Sequence, residues 1–503
     1  MKKFRLFSQI FFLLLFFYFF INTLINNTAF NSEFELKEGV VYIFASDPLL
    51  AVTAFFATGT LKWIFIISAF FVVMTLIFGR VFCGFVCPMG TILHFFSFIA
   101  KKITSFNIRT PEYDKKITIK YYILFTIVYL SLFEINVSGY LDPLALLFKI
   151  LNIFILPILE VIYNFNSLPY ALQDILFYNV LGRETMYYEG AWFFGTIFTL
   201  LILLNFVKSR FWCRYICPLG AFYGVMAKYS FFKIKTTKCT NCYLCDNSCL
   251  AGANPSSENF KSSECMLLFN CLNSCKNEAV LYSKDLKPSN LDFGRRKVIK
   301  SLGLSTAAIA IFAVSKKNPA KNEYLIRPPG ALPEDEFLKT CIRCGACMKV
   351  CPENFLAPSI VEGGILDLFS PIGKPDFGYC LYNCNLCGKA CPTGAIKKLS
   401  VSEKQKFVIG TAFIDKDRCL PYAYKINCAV CEEHCPTTKK AIHFDIEDSF
   451  DKNGEKIKLK KPVIDPESCI GCGICQFKCP VTDKPAIYIT SIKNGGILTN
   501  YIY

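Results

Sequence analysis

Cys239-Thr240-Asn241-Cys242-Tyr243-Leu244-Cys245-Asp246-Asn247-Ser248-Cys249 decides how this chain is read, and its spacing returns at Cys341, Cys344, Cys347, Cys351 and at Cys469, Cys472, Cys475, Cys479. Three cysteines two residues apart, then a fourth after three more, form the C-x2-C-x2-C-x3-C run of bacterial iron–sulfur proteins. In that run three thiolates hold one cluster and the fourth reaches to a neighbouring one. The chain has 27 cysteines, an odd number, and runs this tight place few thiols where they pair with distinct partners, so a disulfide scaffold fits badly. Structural zinc sites are the stronger rival, but they usually supply two cysteines and then a long gap.

Cross-ligation by the two-cluster pattern assigns the remaining cysteines. In a module over 208–292, one cluster takes Cys239, Cys242, Cys245 and Cys275, and a second keeps only Cys249, Cys265 and Cys271, because Leu268 stands where a fourth ligand belongs. Three ligands suit a three-iron cluster, a four-iron cluster with an outside ligand, or an empty site. Over 327–503, Cys341, Cys344 and Cys347 go with Cys391, and Cys380, Cys384 and Cys387 with Cys351. Cys419, Cys428 and Cys431 go with Cys479, and Cys469, Cys472 and Cys475 with Cys435. The expected content is five complete [4Fe-4S] sites and a sixth that is incomplete at Leu268.

Residues 1–207 differ in kind, being Phe, Leu and Ile interrupted by short charged stretches. Leu6–Ile25, Lys62–Phe78 and Ala191–Val207 approach the length of about 20 residues that a spanning helix needs. Ile117–Val137 joins them if Lys120 snorkels to the interface. Leu144–Tyr163 reads as re-entrant or interfacial. Basic residues cluster before the first span (Lys2, Lys3, Arg5), between the second and third (Arg80, Lys101, Lys102, Arg109, Lys115, Lys116) and after the fourth (Lys208, Arg210, Arg214), while Glu33, Glu35, Glu38, Asp47, Asp142 and Glu160 mark the other side. Four spans satisfy the positive-inside rule. The formal charge of +16 is then an orientation signal rather than a nucleic-acid footprint. The fold expected is an α-helical membrane domain joined to α+β ferredoxin-like domains.

Between the soluble parts, residues 293–326 hold Arg295-Arg296-Lys297 before an apolar stretch at 301–314. Paired arginines ahead of a short apolar segment resemble a twin-arginine export signal, which would place 327–503 in the periplasm of a bacterial inner-membrane protein; a cytosolic hairpin or helix is the alternative. Two further pairs, Cys83/Cys87 and Cys213/Cys217, each end in Cys-Pro just after a span, so an internal repeat is expected. Packing, a bound metal or cluster, and a redox dithiol all remain open for them. Glu134 is a candidate proton acceptor near the end of the third span.

Of three histidines, His94, His434 and His443, only His94 lies near the apolar half, which leaves no pair for a bis-histidine haem there, and with no C-x-x-C-H attached c-type haem is excluded. No dinucleotide or phosphate-binding loop occurs either. A lipid-soluble quinol is the most economical electron donor.

Residues 60–280, with both Cys-x3-Cys-Pro motifs and the following cysteine module, resemble the NapH-type membrane quinol dehydrogenases, shared in part with NosR and CcoG/RdxA. Residues 294–490, with the arginine pair, Arg327-Pro328-Pro329-Gly330 and four cluster motifs, resemble the NapG/MauM-type periplasmic polyferredoxins. The resemblance implies menaquinol oxidation, with electrons passing to a periplasmic nitrate or nitrous oxide reductase. A rival implication is a CcoG-like copper reductase acting in assembly through Cys83, Cys87, Cys213 and Cys217. A third is an anchoring subunit of a respiratory complex.

Overall fold

The computed structural model describes residues 2–23, 39–60, 62–103, 115–159, 190–237, 239–256, 260–275, 277–284, 295–317, 324–360, 362–450, 456–493 and 496–497. The chain divides into two compact units, one built chiefly from 1–22, 39–155 and 191–313, the other chiefly from 314–503.

The first unit is helical with one small sheet. Helix α1 spans Lys2–Asn22, α2 Gly39–Ala45, α3 Pro48–Thr58, α4 Ile66–Phe78, α5 Pro88–Ile103 and α6 Ile119–Leu132, followed by helices Pro143–Lys149, Ala191–Val207, Phe211–Tyr215 and Pro218–Ala227. Several begin at proline, whose fixed φ and missing N–H suit the first helical position. Asp47 and Asp142 cap two of these, accepting from Leu49 and Leu50 and from Leu144 and Ala145 respectively. Strand β1 (Phe232–Thr236) pairs antiparallel with β2 (Val280–Lys284), and together they bracket Cys239–Cys275.

Polarity in this unit is inverted. Phe7 and Phe11 on α1, Ile66 and Phe70 on α4, and Trp192 and Leu203 are exposed, whereas Arg5, Arg80, Arg210, Arg214, Lys120 and Lys149 are buried.

Four expectations need correction. Among the described residues only Lys3–Ile21 is a single helix long and apolar enough to cross a membrane; α2 and α3 together pass only as a pair bent by 81°. The segments read as second, third and fourth spans form helices Ile66–Phe78, Ile119–Leu132 and Ala191–Val207, of 13, 14 and 17 residues. At 1.5 Å per residue none reaches the roughly 30 Å of a hydrocarbon core. Lys120 does not snorkel: it is fully buried against Glu264. The apolar stretch after the arginine pair belongs to a longer helix, Arg295–Lys317. In 144–163, Leu144, Ala145, Leu146, Leu147 and Phe148 are core residues rather than an interfacial face, and 160–163 lie outside the described residues.

The second unit repeats one plan. β3 (Leu356–Pro358) pairs with β4 (Pro371–Gly373), and β5 (Thr411–Ile414) with β8 (Ile487–Thr490). A bridge from Ala331 to Ile396 encloses Cys341–Cys391, and the β5–β8 pair encloses Cys419–Cys479. Between Cys435 and Cys469 a hairpin is inserted, β6 (Ile442–Phe450) with β7 (Lys456–Ile464). The core joins Phe337, Met348, Phe355, Ile409 and Ile489 to the cysteines themselves. Arg327, inside it, donates to Glu334 at 2.8 Å and to Ser370 Oγ at 2.8 Å, pairs with Asp367, and lies 4.6 Å from the Phe337 ring.

Candidate metal centres

The cysteine runs owe their shape to backbone turns. Asn241 and Tyr243, Arg343 and Gly345, and Gly471 and Gly473 all have positive φ, so each run curls around a common centre before one short helical turn carries the third cysteine. Backbone N–H groups then point at sulfur: Asn241 to Cys239 at 3.4 Å, Arg343 to Cys341 at 3.4 Å, Ala279 to Cys275 at 3.3 Å and Ala486 to Cys479 at 3.4 Å. Such donors stabilise thiolates, the form that binds metal.

The sets expected from spacing come together. Cys239, Cys242, Cys245 and Cys275 line one cavity; Cys419, Cys428, Cys431 and Cys479 a second; Cys435, Cys469, Cys472 and Cys475 a third. Burial, followed by crowding from Cys344, Cys341 and Cys391, pushes the Cys347 thiol well up. Cys387 is raised in the same way by burial and by Cys380, Cys384 and Cys351. Burial and Cys249 raise Cys265 to about 12. Thiols packed this densely ionise only beside a cationic group, and iron supplies one. The four-cysteine sets match the ligand complement of a [4Fe-4S] cluster.

The incomplete site keeps the backbone of a complete one. Leu267 and Phe269 have φ of 50° and 56°, matching Asn241 and Tyr243 at 53° and 55°. Leu268 itself is buried with Ala251 and Met266, and Cys83, Cys213 and Cys249 pack on the same cluster.

Cys83, Cys87, Cys213 and Cys217 form one group. Arg80-x2-Cys83-x3-Cys87-Pro88-x-Gly90 is repeated as Arg210-x2-Cys213-x3-Cys217-Pro218-x-Gly220. Cys83 lies on a wide helical turn, Phe82–Val86, while Cys87 and Cys217 precede helices and accept N–H groups from Gly90 at 3.5 Å and Gly220 at 3.2 Å. All four thiols lie within electrostatic reach of one another, with Arg80 and Arg210 beside them. Gly84 is required because a Cβ there would overlap the Met266 carbonyl.

The loop 262–269 of the cysteine module is seated on this group. Arg5 donates to Leu268 O at 2.7 Å, Arg80 to Ser263 O at 3.1 Å, and Arg210 to Met266 Sδ at 3.6 Å. Glu264 pairs with Lys120, accepts from Tyr121 Oη at 2.7 Å and has Arg80 at 3.9 Å. Burial would raise the Glu264 carboxyl, but Lys120 and Arg80 outweigh it and hold it below its ordinary value.

Glu134 does not join this site: it is exposed, at a helix end with φ of 64°. Sequence reasoning took Asp47 and Asp142 as charges marking the side opposite the basic clusters and did not single out Tyr223; all three are buried, and the repeated Asp-Pro-Leu at 47–49 and 142–144 was a visible signal.

Comparison with known proteins agrees with this arrangement. The 4Fe-4S dicluster domain family matches residues 340–395 and 426–482, and the 4Fe-4S binding domain family matches 60–105 and 190–238. The ferredoxin-type protein MauM of methylamine utilization from Methylophilus methylotrophus is 34% identical over 184 residues, 35% of this chain and 76% of the relative. The chain belongs to the MauM/NapG ferredoxin-type family. MauM of Paracoccus denitrificans is 32% identical over 36% of this chain and 82% of its own length, and the ferredoxin-type protein NapG of Escherichia coli is 28% identical over 41% and 88%. No solved structure matches the chain. As a ferredoxin-type protein it contains 4Fe-4S domains and transfers electrons through iron–sulfur clusters. The second family match covers both Cys-x3-Cys-Pro motifs, so these two segments carry a cluster-domain signature as well as the runs after position 238. Cys419 lies outside the dicluster match, consistent with the wide spacing to Cys428.

Proposed function

We propose that this ferredoxin-type protein is a membrane-seated menaquinol dehydrogenase component, a fusion of a NapH-like quinol-oxidising part with a NapG/MauM-like polyferredoxin, that delivers electrons to a periplasmic reductase. The observation that carries the reading is the seating of loop 262–269 on Cys83, Cys87, Cys213 and Cys217 through Arg5, Arg80 and Arg210. It joins an apolar-surfaced helical unit to a cysteine module with no gap of solvent between them.

The exposed faces of Lys3–Ile21, Ile66–Phe78 and Ala191–Val207 support contact with lipid, since soluble surfaces rarely carry so many large apolar side chains together. In this reading the ligands are the six sets described above, with Cys249, Cys265 and Cys271 as the incomplete one. A bound cluster accepts and passes one electron at a time. The chain's residues fix its position, bury it, and direct backbone N–H groups at its sulfur ligands, which tunes its potential. The relatives' association with methylamine utilization and the Nap system supports a periplasmic redox partner for residues 327–503.

Full-length protein in lipid nanodiscs, mixed with menadiol as a soluble quinol, tests this. Bleaching of the cluster absorption supports quinol oxidation. If menadiol leaves the clusters oxidised while copper(II) is reduced through Cys83, Cys87, Cys213 and Cys217, the copper-reductase reading replaces it. A reporter fused after Tyr503 that is active only in the cytoplasm would refute export of the last unit.

A further inference from the structure

Asp47 and Asp142 are 95 positions apart, yet each opens a helix from an Asp-Pro-Leu sequence, each is fully buried, and their carboxyl groups lie close enough to interact directly. The two oxygens of each have different duties. Asp47 Oδ1 caps Leu49 and Leu50 at 2.8 and 3.2 Å, and Asp142 Oδ2 caps Leu144 and Ala145 at 2.9 and 2.8 Å. The other oxygens, Asp47 Oδ2 and Asp142 Oδ1, receive no N–H or O–H from any other residue. Capping alone would need only serine or asparagine. Two buried carboxylates in contact do not both ionise, so the pair holds one proton and keeps one vacancy.

A third group points to what the vacancy serves. The Tyr223 hydroxyl is buried, has no hydrogen-bond partner among the described residues, and is within electrostatic reach of Asp47, Asp142, Cys83 and Cys87. Its ring stacks on Phe82, the neighbour of Cys83, with centroids 5.1 Å apart. The charged group facing the pair is Lys149, which also donates to Gly139 O at 2.8 Å. An acid pair, an unsatisfied phenol and the paired thiols therefore lie near one another inside the apolar-surfaced unit.

We propose that Asp47 and Asp142 form a one-proton carboxyl pair that accepts the protons released when a hydroquinone is oxidised in this unit, with Tyr223 as the residue that positions the ring between acids and thiols. The inference rests on the quinol reading above. Oxidation of one hydroquinone breaks two O–H bonds and yields quinone, two electrons and two protons. The two electrons would pass singly to iron–sulfur clusters held by the cysteine sets, one electron to each of two clusters. The first proton goes to the ionised carboxylate, which passes it to water before taking the second.

Asp47→Asn and Asp142→Asn test the pair in cluster-loaded full-length protein, because asparagine caps a helix as well as aspartate but holds no proton. Two readouts are used: menadiol-driven cluster reduction, with dithionite reduction as control, and the infrared C=O band of a protonated carboxyl and its shift in D2O. The expected result is that each variant loses that band and slows menadiol reduction by about 10²–10⁴-fold, the usual contribution of a proton-transfer group, with dithionite reduction unchanged. Tyr223→Phe is expected to slow menadiol reduction while leaving the carboxyl band in place. Wild-type rates in both Asn variants, or a wild type without the band, overturn the pair while quinol oxidation stands. A wild type that keeps the band and is reduced by dithionite but not by menadiol overturns quinol oxidation, and with it the assigned role.

Discussion

Glu264→Gln should loosen the seating of loop 262–269. Glu264 is the anion between two fully buried cations, and glutamine keeps its shape while deleting its charge. The Arg80 contact at 3.9 Å is worth about 4 kcal/mol at an effective dielectric near 20. Breaking a buried pair by removing one partner costs about 3–5 kcal/mol, because the surviving charge stays desolvated. Taking about 4 kcal/mol, the population with the loop undocked rises by about 10³, at 1.36 kcal/mol per decade. Amide hydrogen exchange reads this directly, since the Glu264 and Cys265 N–H groups donate within the loop to Lys261 O at 3.0 Å and Ser262 O at 3.1 Å. Exchange across 262–269 should accelerate toward a thousandfold, with β5 and β8 of the other unit unaffected. The double change Lys120→Met with Glu264→Leu should recover part of the loss, since it removes one of the two cations left without an anion, Arg80 remaining. Exchange within about threefold of wild type in Glu264→Gln would show that Arg80 and Lys120 are not held by this carboxylate, and the reasoning would fail.

Leu268→Cys restores a ligand on a backbone already turned for one, so iron per chain should rise by one atom and any three-iron resonance of the oxidised protein should disappear; an unchanged iron content and spectrum would refute this. Gly84→Ala places a methyl on the Met266 carbonyl, and it should slow cluster reduction by menadiol without lowering total iron by more than the incomplete site contributes. Chelating the iron should disorder the 314–503 unit, whose core packs around the candidate ligand cysteines, and near-ultraviolet circular dichroism should collapse while the α1 helical signal persists.

Much of the metal-binding architecture was readable because its information is local. Two residues between cysteines fix the loop, and the cross-ligation pattern fixes which distant run completes it, as Cys275 does for Cys239, Cys242 and Cys245. Leu268 stood out by the same logic. The helical unit was less readable because its decisive contacts span long stretches of chain. Lys120 looks like an interfacial cation until Glu264, 144 positions later, arrives beside it. Asp47 looks like a loop charge until Asp142 meets it. Hydropathy overcounted full-length spans because apolar residues here cover both helix interiors and helix exteriors, so a stretch such as Ile117–Val137 is apolar beyond the point where the helix stops at Leu132.

The repeated halves of the helical unit have a directional consequence. Asp47 answers Asp142, and Arg80-Cys83-Cys87 answers Arg210-Cys213-Cys217, as matching patches do across a two-fold dimer. A true two-fold centre would offer electrons two equivalent exits. Here a single cysteine module is seated on it, meeting the first half at Gly84 and Arg80 and the second at Arg210, with Arg214 against Gly252. Joining the halves in one chain lets that module break the symmetry, so under the proposed electron-transfer role a duplicated centre would have one outlet.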